Sequence, residues 1–385
     1  MLTGNINFKN FKTKKNTKKV KKILKELLQE DNEIIRSLRK SYRNSYHRKL
    51  VNKYSKALNY RIIGMGGSTL GAQTIYDFLR NKIKKKFSFI DNLQSFSKIN
   101  NVKKITNLVI SKSGNTIETI INTNLLLKKK HRNIFITENK KSYLYLLAEK
   151  LKADIVEHNN FIGGRYSVLS EVGMLPAELM GLKSNKFKNL NLLVKNKIFF
   201  NSLVSNVSSI LDFIKNKKYN SIIINYDEKS QSLFNWYQQL IAESLGKNKK
   251  GILPIISNMP KDNHSVMQLY LDGFKNNFYT FFFVNENNST RINTNFFKNN
   301  SFSYLKNKNL NQIKLSQKLA TENVFQKKNI PFRSFTIFKR DEKTLGELFS
   351  FFILETILIG KMLNLNPYDQ PAVELIKNET KKILI

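Results

Sequence analysis

Tyr60-Arg-Ile-Ile-Gly-Met-Gly-Gly-Ser-Thr-Leu70 is a short apolar run that stops at Gly64, Gly66 and Gly67 and is followed at once by Ser68. The pattern predicts a strand, a tight turn and the start of a helix. Backbone N–H groups at a helix N-terminus are unpaired and carry the positive end of the helix dipole. Glycines let an anion approach that backbone closely, so phosphate is the expected occupant. The same grammar recurs in Leu108-Val-Ile-Ser-Lys-Ser-Gly-Asn-Thr116, an apolar strand running into hydroxyls, one lysine and a glycine. Side by side, the two turns would make a hydroxyl-lined phosphate cradle. Neither carries the G-x-G-x-x-G spacing or the G-K-[ST] of a P-loop, so each alone also reads as an ordinary strand-to-helix turn.

Around these turns the chain alternates. Strands are expected near 60–64, 105–111, 133–137 and 153–157, with helical stretches between them, which predicts a parallel sheet wrapped by helices. Ligands of such sheets bind beyond the carboxyl ends of the strands, where both turns lie. A second alternating series is expected at Ser221 to Tyr226, Ile252 to Ile256, Phe278 to Val284 and Phe335 to Phe338. The periodicity from Lys18 to Arg43 predicts one docking helix behind a lysine-rich run, Lys12 to Lys22. The Asn-rich segment Asn285 to Asn311 reads as loop. Thr344 and Glu347 have the spacing of a capping box for a long helix, and a last helix is expected around Val373 to Leu384. The organisation read from this is an α/β chain with an N-terminal helical arm over 1–54, a first phosphate-binding domain over 55–185 and a second domain over 186–385.

Composition narrows the function. The 385 residues include no cysteine, which excludes disulfides, thiolate metal sites and a cysteine nucleophile and suits a reducing cytoplasm. Met1-Leu-Thr-Gly-Asn5 is polar, unlike a signal peptide. The longest apolar run, Leu345 to Leu363, carries Glu347, Glu355 and Lys361 and reads as a buried helix and not as a membrane span. A net charge of +38 invites a nucleic-acid reading. The lysines are spread through nearly every polar segment, however, and are not gathered with aromatics on one element, so a solvated basic surface accounts for them and no specific nucleic acid is expected.

Acid–base candidates lie in the second half. In Asn235 to Lys247, Gln239 and Glu243 are four apart on one helical face, and a carboxylate held beside a carbonyl can abstract the neighbouring proton. Read alone, Glu243 is an exposed helix-end glutamate. His264, one of four histidines, could exchange protons near neutral pH, and nothing around it suggests a metal. Arg165 sits in a glycine turn, Gly163-Gly-Arg-Tyr166, where a surface arginine is the plain reading. Gln370 lies at a turn, with Lys377 two helical turns further on.

Six ordered blocks, G-M-G-G-S-T-L-G from Gly64, S-K-S-G-N-T-I-E-T from Ser111, G-G-R-Y-S-V-L from Gly163, Q-x-x-x-E-S-x-G-K from Gln239, N-H-S-x-x-Q from Asn263 and N-P-x-D-Q-P-x-V-E-x-x-K from Asn366, resemble the glucose-6-phosphate isomerase family. The resemblance implies two sugar-isomerase domains, each a parallel sheet flanked by helices. It further implies a homodimer with shared active sites and cofactor-free interconversion of glucose 6-phosphate and fructose 6-phosphate. By motif, Gly67, Ser68, Ser111, Lys112, Ser113 and Thr116 would hold the phosphate, and Gln239 and Gln370 would orient the sugar. Glu243 would be the base and Arg165 the partner of the cis-enediolate. His264, reaching over from the partner subunit, and Lys377 would assist ring opening. Ser113-Gly-Asn-Thr116 is similar to the loop of dual phosphoglucose/phosphomannose isomerases, so mannose 6-phosphate remains a candidate substrate. Ala242 stands where relatives commonly have glycine. A sugar-phosphate-sensing module without catalysis is the alternative class.

Overall fold

The computed structural model describes residues 1–12, 17–93, 104–128, 131–286, 289–293 and 300–385. Among these, ten strands form two sheets. In chain order they are β1 (Ile6–Lys9), β2 (Asn59–Ile63), β3 (Lys86–Ile90), β4 (Thr106–Ile110), β5 (Arg132–Thr137), β6 (Asp154–Glu157), β7 (Asn220–Asn225), β8 (Leu253–Asn258), β9 (Asn277–Val284) and β10 (Phe332–Ile337). One sheet runs β3-β2-β4-β5-β6 and every pairing in it is parallel. The other runs β1-β10-β9-β7-β8, parallel except that β1 lies antiparallel on the edge, with Ile6 opposite Ile337.

The inner strands are nearly continuous apolar runs because helices cover both faces. All five residues of β4 and all eight of β9 are buried. The Glu342–Met362 helix is the spine, buried from Thr344 to Gly360 and packed against the Lys197–Lys215 and Gln231–Leu245 helices. Inside the second half, the buried guanidinium of Arg333 pairs with the buried carboxylate of Glu355 and donates to Asn206, Thr280 and Tyr237. Tyr237 also donates to Glu355 at 2.8 Å, so a polar knot ties the Gln231–Leu245 helix to β9 and β10.

Eight of these strands lie where the alternation predicts them. Two of the four edge strands, β1 and β3, lie outside that alternation; each is short and partly polar, and an edge strand needs only one buried face. The single helix expected over Lys18 to Arg43 is two: Lys18–Gln29, then Glu33–Ser37. The break is at Glu30, which turns extended, and Asn32 restarts the helix by accepting the N–H groups of Ile34 and Ile35. Of the lysine-rich run, 13–16 fall outside the described residues. The long helix begins earlier than the Thr344/Glu347 spacing suggests. Asp341 is its cap, accepting the Thr344 N–H at 2.8 Å, while Glu347 accepts the Thr3 hydroxyl. Within the Asn-rich segment, 287–288 and 294–299 fall outside the described residues. Arg291 bridges to Asn309, which caps an unanticipated helix, Leu310–Lys327, with a full capping box.

Candidate active site

β2 and β4 are parallel neighbours, so the two turns that leave them stand side by side at the carboxyl end of the sheet. The Gly64 N–H still donates to Ile90 O at 3.1 Å and the Ser111 N–H to Ile136 O at 3.0 Å, which pins both turns to the ends of their ladders. Gly66 caps the Gly67–Phe78 helix with φ of 53°, a left-handed conformation that glycine adopts without strain. A Cβ on Gly67 would lie 2.1 Å from the Gly164 carbonyl carbon, so no larger residue lets this helix end meet the Arg165 turn. Ser68 is half-buried in the first turn of that helix. Across the gap, Thr116 is the N-cap of the Ile117–Leu126 helix, and its hydroxyl lies 3.0 Å from that of buried Ser111. Ser113 is exposed and accepts the Asn115 N–H. The Lys112 ammonium is turned toward the loop before Arg165. It donates to Asn160 O at 2.6 Å and lies 3.7 Å from Glu138.

The second part of the site is a knot around Arg165, which is 2% exposed despite its glycine-turn setting. All five guanidinium donors have a partner. Nε donates to Ser244 Oγ at 2.8 Å. Nη1 donates to Glu243 Oε2 at 3.2 Å and Gln370 Oε1 at 2.5 Å. Nη2 donates to the carbonyls of Pro367 at 2.7 Å and Asp369 at 3.0 Å. Glu243, about a quarter exposed, accepts from Gln239 Nε2 at 2.8 Å through its other oxygen. Gln239 in turn abuts the first turn of the cradle: a Cβ on Gly66 would lie 2.7 Å from its amide nitrogen. Its amide oxygen is buried and has no hydrogen-bond partner among the described residues. The cradle and the carboxylate–guanidinium pair are therefore one continuous site, joined by Gln239.

His264 and Lys377 share no hydrogen bond or ion pair with this cluster among the described residues. His264 is exposed on the short turn after β8, ahead of the Met267–Asp272 helix. Lys377 pairs with Glu374 at 2.6 Å on the Ala372–Leu384 helix, which has no buried residue and exposes Leu375, Ile376, Ile383 and Leu384.

Four side chains were not singled out from the sequence. Ser244 accepts from Arg165 and lies 2.8 Å from the Tyr166 hydroxyl. Tyr166 donates to Pro367 O. Trp236, the single tryptophan, donates its indole N–H to the Arg165 carbonyl at 3.0 Å. Lys247 grips the turn that holds Gln370. The block Glu243-Ser-Leu-Gly-Lys247 contained the signal for two of them, as polar residues bracketing a helix end beside a candidate base.

Behind the Arg165 turn, the buried imidazole of His158 lies 3.7 Å from the buried carboxylate of Glu171. Burial holds that imidazole down to about 4 and pushes the Glu171 carboxyl up. Glu171 accepts the Asn159 N–H at 2.9 Å and so fixes the start of the loop that presents Arg165.

The phosphoglucose isomerase family model matches residues 14–385. The chain is 32% identical to the glucose-6-phosphate isomerase of Methanocaldococcus jannaschii, over 89% of this chain and 88% of that one. It is 34% identical to the glucose-6-phosphate isomerase of Mycoplasmopsis pulmonis, over 84% and 82%. Among solved structures, a hypothetical protein from Thermus thermophilus superposes with a TM-score of 0.83 at 21% identity, covering 96% of this chain and 94% of that one. A glucose-6-phosphate isomerase from Chlamydia trachomatis superposes with a TM-score of 0.71 at 16% identity, covering 94% and 78%; both likenesses speak for the fold. With the family model spanning nearly the whole chain and two such relatives covering more than four-fifths of it, this protein belongs to the phosphoglucose isomerase family.

Proposed function

We propose that the chain interconverts glucose 6-phosphate and fructose 6-phosphate by moving a proton between C1 and C2 through a cis-enediolate. The observation that carries this reading is the continuity of the site. Glu243 is bonded to Arg165 and to Gln239, whose amide packs against Gly66 at the helix end beside the Ser111–Thr116 turn. An aldose–ketose isomerisation needs a phosphate anchor, one base and one cation at the developing oxyanion, and these stand in that order. In this reading Ser68, Ser111, Lys112, Ser113 and Thr116, with the Gly67 backbone, hold the phosphate. Gln239 and Gln370 orient the sugar, Glu243 carries the proton and Arg165 meets the enediolate. Because Arg165 has all its donors engaged, substrate oxygen must take one over. The Nη1 bonds to Gln370 and Glu243 are the exchangeable ones, since the other partners are main-chain carbonyls and a buried serine. The hydrogen moves as a proton within one molecule, so no redox cofactor enters.

The same reading includes a homodimer with shared sites, in which His264 of one chain and Lys377 assist ring opening. Its support is that His264 is solvent-exposed and that the helix bearing Lys377 leaves its apolar side uncovered, an arrangement a second copy would complete. Residues 55–185 and 186–385 are read as the two domains because each carries the parallel strands of one sheet, with 1–54 as an arm whose strand β1 adds an antiparallel edge to the second. Sugar phosphate as substrate and the absence of cysteine support a cytoplasmic setting in glycolysis and gluconeogenesis.

A coupled assay with fructose 6-phosphate tests the activity. Turnover, with deuterium from heavy water entering C2 of glucose 6-phosphate, is expected; phosphate binding without turnover would leave a sugar-phosphate-binding module instead. Mannose 6-phosphate in the same assay decides whether the Ser113-Gly-Asn-Thr116 loop goes with dual specificity. For the shared site, inactive Glu243→Gln and His264→Ala chains are refolded together. Mixed dimers, verified by mass, carry one intact site of two and should show about half of wild-type activity, so about a quarter for a randomly paired mixture, and none regained would remove His264 from the partner's site.

A further inference from the structure

We propose that Lys247 is a positioning residue for Arg165 and Gln370, acting through the turn Asn366–Gln370. Lys247 follows the last residue of the Gln231–Leu245 helix by two positions, and its side chain is only 11% exposed. Its ammonium donates to the carbonyl of Asn366, to the carbonyl of Asp369 at 2.6 Å and to the Asp369 carboxylate at 2.5 Å. Two of these three partners are main chain, so the contact is aimed at the turn's backbone and is more than a surface ion pair. Lys247 beside Asp369 holds that carboxyl below its usual range.

The same turn is what Arg165 binds. Nη2 of Arg165 donates to Pro367 O and Asp369 O, and Nη1 donates to Gln370. The Asp369 carbonyl therefore accepts from both cations, Arg165 from the buried side and Lys247 from the outer side. The turn adds its own bonds, with the Tyr368 N–H donating to Asn366 Oδ1 and the Asn366 amide to Asp369. Turn bonds alone do not set where the turn sits relative to the helix of Glu243. Lys247 ties the two directly, because it grows from the end of that helix, whereas Arg165 and Tyr166 link Ser244 to the turn only as intermediaries. The clamp thus ties three things to one helix end: the carboxylate of Glu243, the Nη2 edge of Arg165 and the amide of Gln370. With Nη2 fixed on two carbonyls, the guanidinium cannot rotate, and Nη1 is the edge left to exchange partners beside Glu243. The turn also leads directly into the Ala372–Leu384 helix that carries Lys377.

Loss of the clamp should affect the chemical step and spare ground-state binding, which rests on the phosphate turns of the other sheet. This inference depends on Arg165 and Gln370 belonging to the isomerase site, as proposed above. The experiment measures kcat and KM for fructose 6-phosphate, the inhibition constant of inorganic phosphate, and Tm for wild type, Lys247→Met, Lys247→Arg and Asp369→Asn. Lys247→Met should lose about 10- to 100-fold in kcat, the scale of a misplacement near 1 Å, with KM and phosphate inhibition within about twofold. Lys247→Arg, which can still donate to two carbonyls, should recover kcat to within about fivefold of wild type. Asp369→Asn should lose less than Lys247→Met, because both main-chain bonds remain. If Lys247→Met does not fold, Lys247→Gln, whose amide reaches one carbonyl, takes its place with the same readouts. Retention of kcat within twofold in Lys247→Met overturns the proposal. So does a parallel fall of kcat, phosphate affinity and Tm that Lys247→Arg does not relieve. Absence of turnover in the wild type would instead refute the isomerase reading, so the two failures are distinguishable.

Discussion

The proposed phosphate cradle and the Arg165 knot lie beside each other and are built in opposite ways. The cradle is two short contiguous segments, each a strand end, a few hydroxyls and a helix start, and its parts reach the site because the chain carries them there locally. The knot draws on residues 165, 239–247 and 366–370, spans more than two hundred positions, and exists only when both halves are packed together. Hydroxyl and backbone donors of the cradle can be lost one at a time. In the knot all five Arg165 donors are engaged, so removing one partner strands others in a buried setting, which costs more than the bond itself contributed.

The largest effect should come where the knot meets the chemistry. Glu243→Gln keeps the shape, can still accept from Arg165 and, with the Gln239 amide turned over, donate to its oxygen, but it cannot take a proton. Turnover is expected to fall by about 10²–10⁴-fold with little change in KM, and deuterium incorporation at C2 should vanish. Near-normal exchange would assign the base to another residue and leave the fold untouched. Next comes Arg165→Lys, which keeps the charge but has three donors in place of a planar fork of five. Loss of an aligned oxyanion partner is typically worth about 10²–10³-fold in kcat. The carbonyls of Pro367 and Asp369 would lose bonds too, so Tm should drop in the same variant. A kcat loss without any Tm change would mean that the knot is less interdependent than its geometry implies.

The cradle should behave differently. Ser111→Ala and Thr116→Val each delete one hydroxyl near a dianion, worth roughly 1.5–3 kcal/mol, or about 10- to 100-fold in phosphate affinity. Competitive inhibition by inorganic phosphate measures it, and Tm should stay close to wild type. Unchanged inhibition in both variants would move the phosphate elsewhere and dissolve the contrast between the two regions.

The smallest effect concerns the support behind the knot. Burial holds His158 at about 4, whereas an unfolded histidine titrates near 6.5, so in that window the unfolded chain binds the proton first. Its contribution to stability is complete above about pH 6.5 and is lost as the pH falls toward about 4. Glu171, with its carboxyl raised by burial, shifts in the opposite sense and offsets part of the slope. His158→Gln should flatten the decline of Tm between pH 6.5 and 4, and an unaltered slope would assign the acid sensitivity to other groups.

The sequence by itself determined the two strand-turn-helix elements, eight of the ten strands, the largely buried Leu345–Leu363 run and the order of the six blocks. Each depends on neighbours within about a dozen residues, so periodicity and glycine or hydroxyl placement record it directly. Tertiary structure alone decided that Arg165, in a turn that reads as surface, is buried with every donor engaged, and that Gln239 bridges the cradle to Glu243. It also decided that Lys247 and Ser244 serve the same guanidinium's surroundings, and that β1 crosses to the far sheet to pair with β10. A charged side chain is legible as buried only through the partners that compensate its desolvation. Those partners lie up to 205 positions away in the chain, beyond the reach of any local pattern.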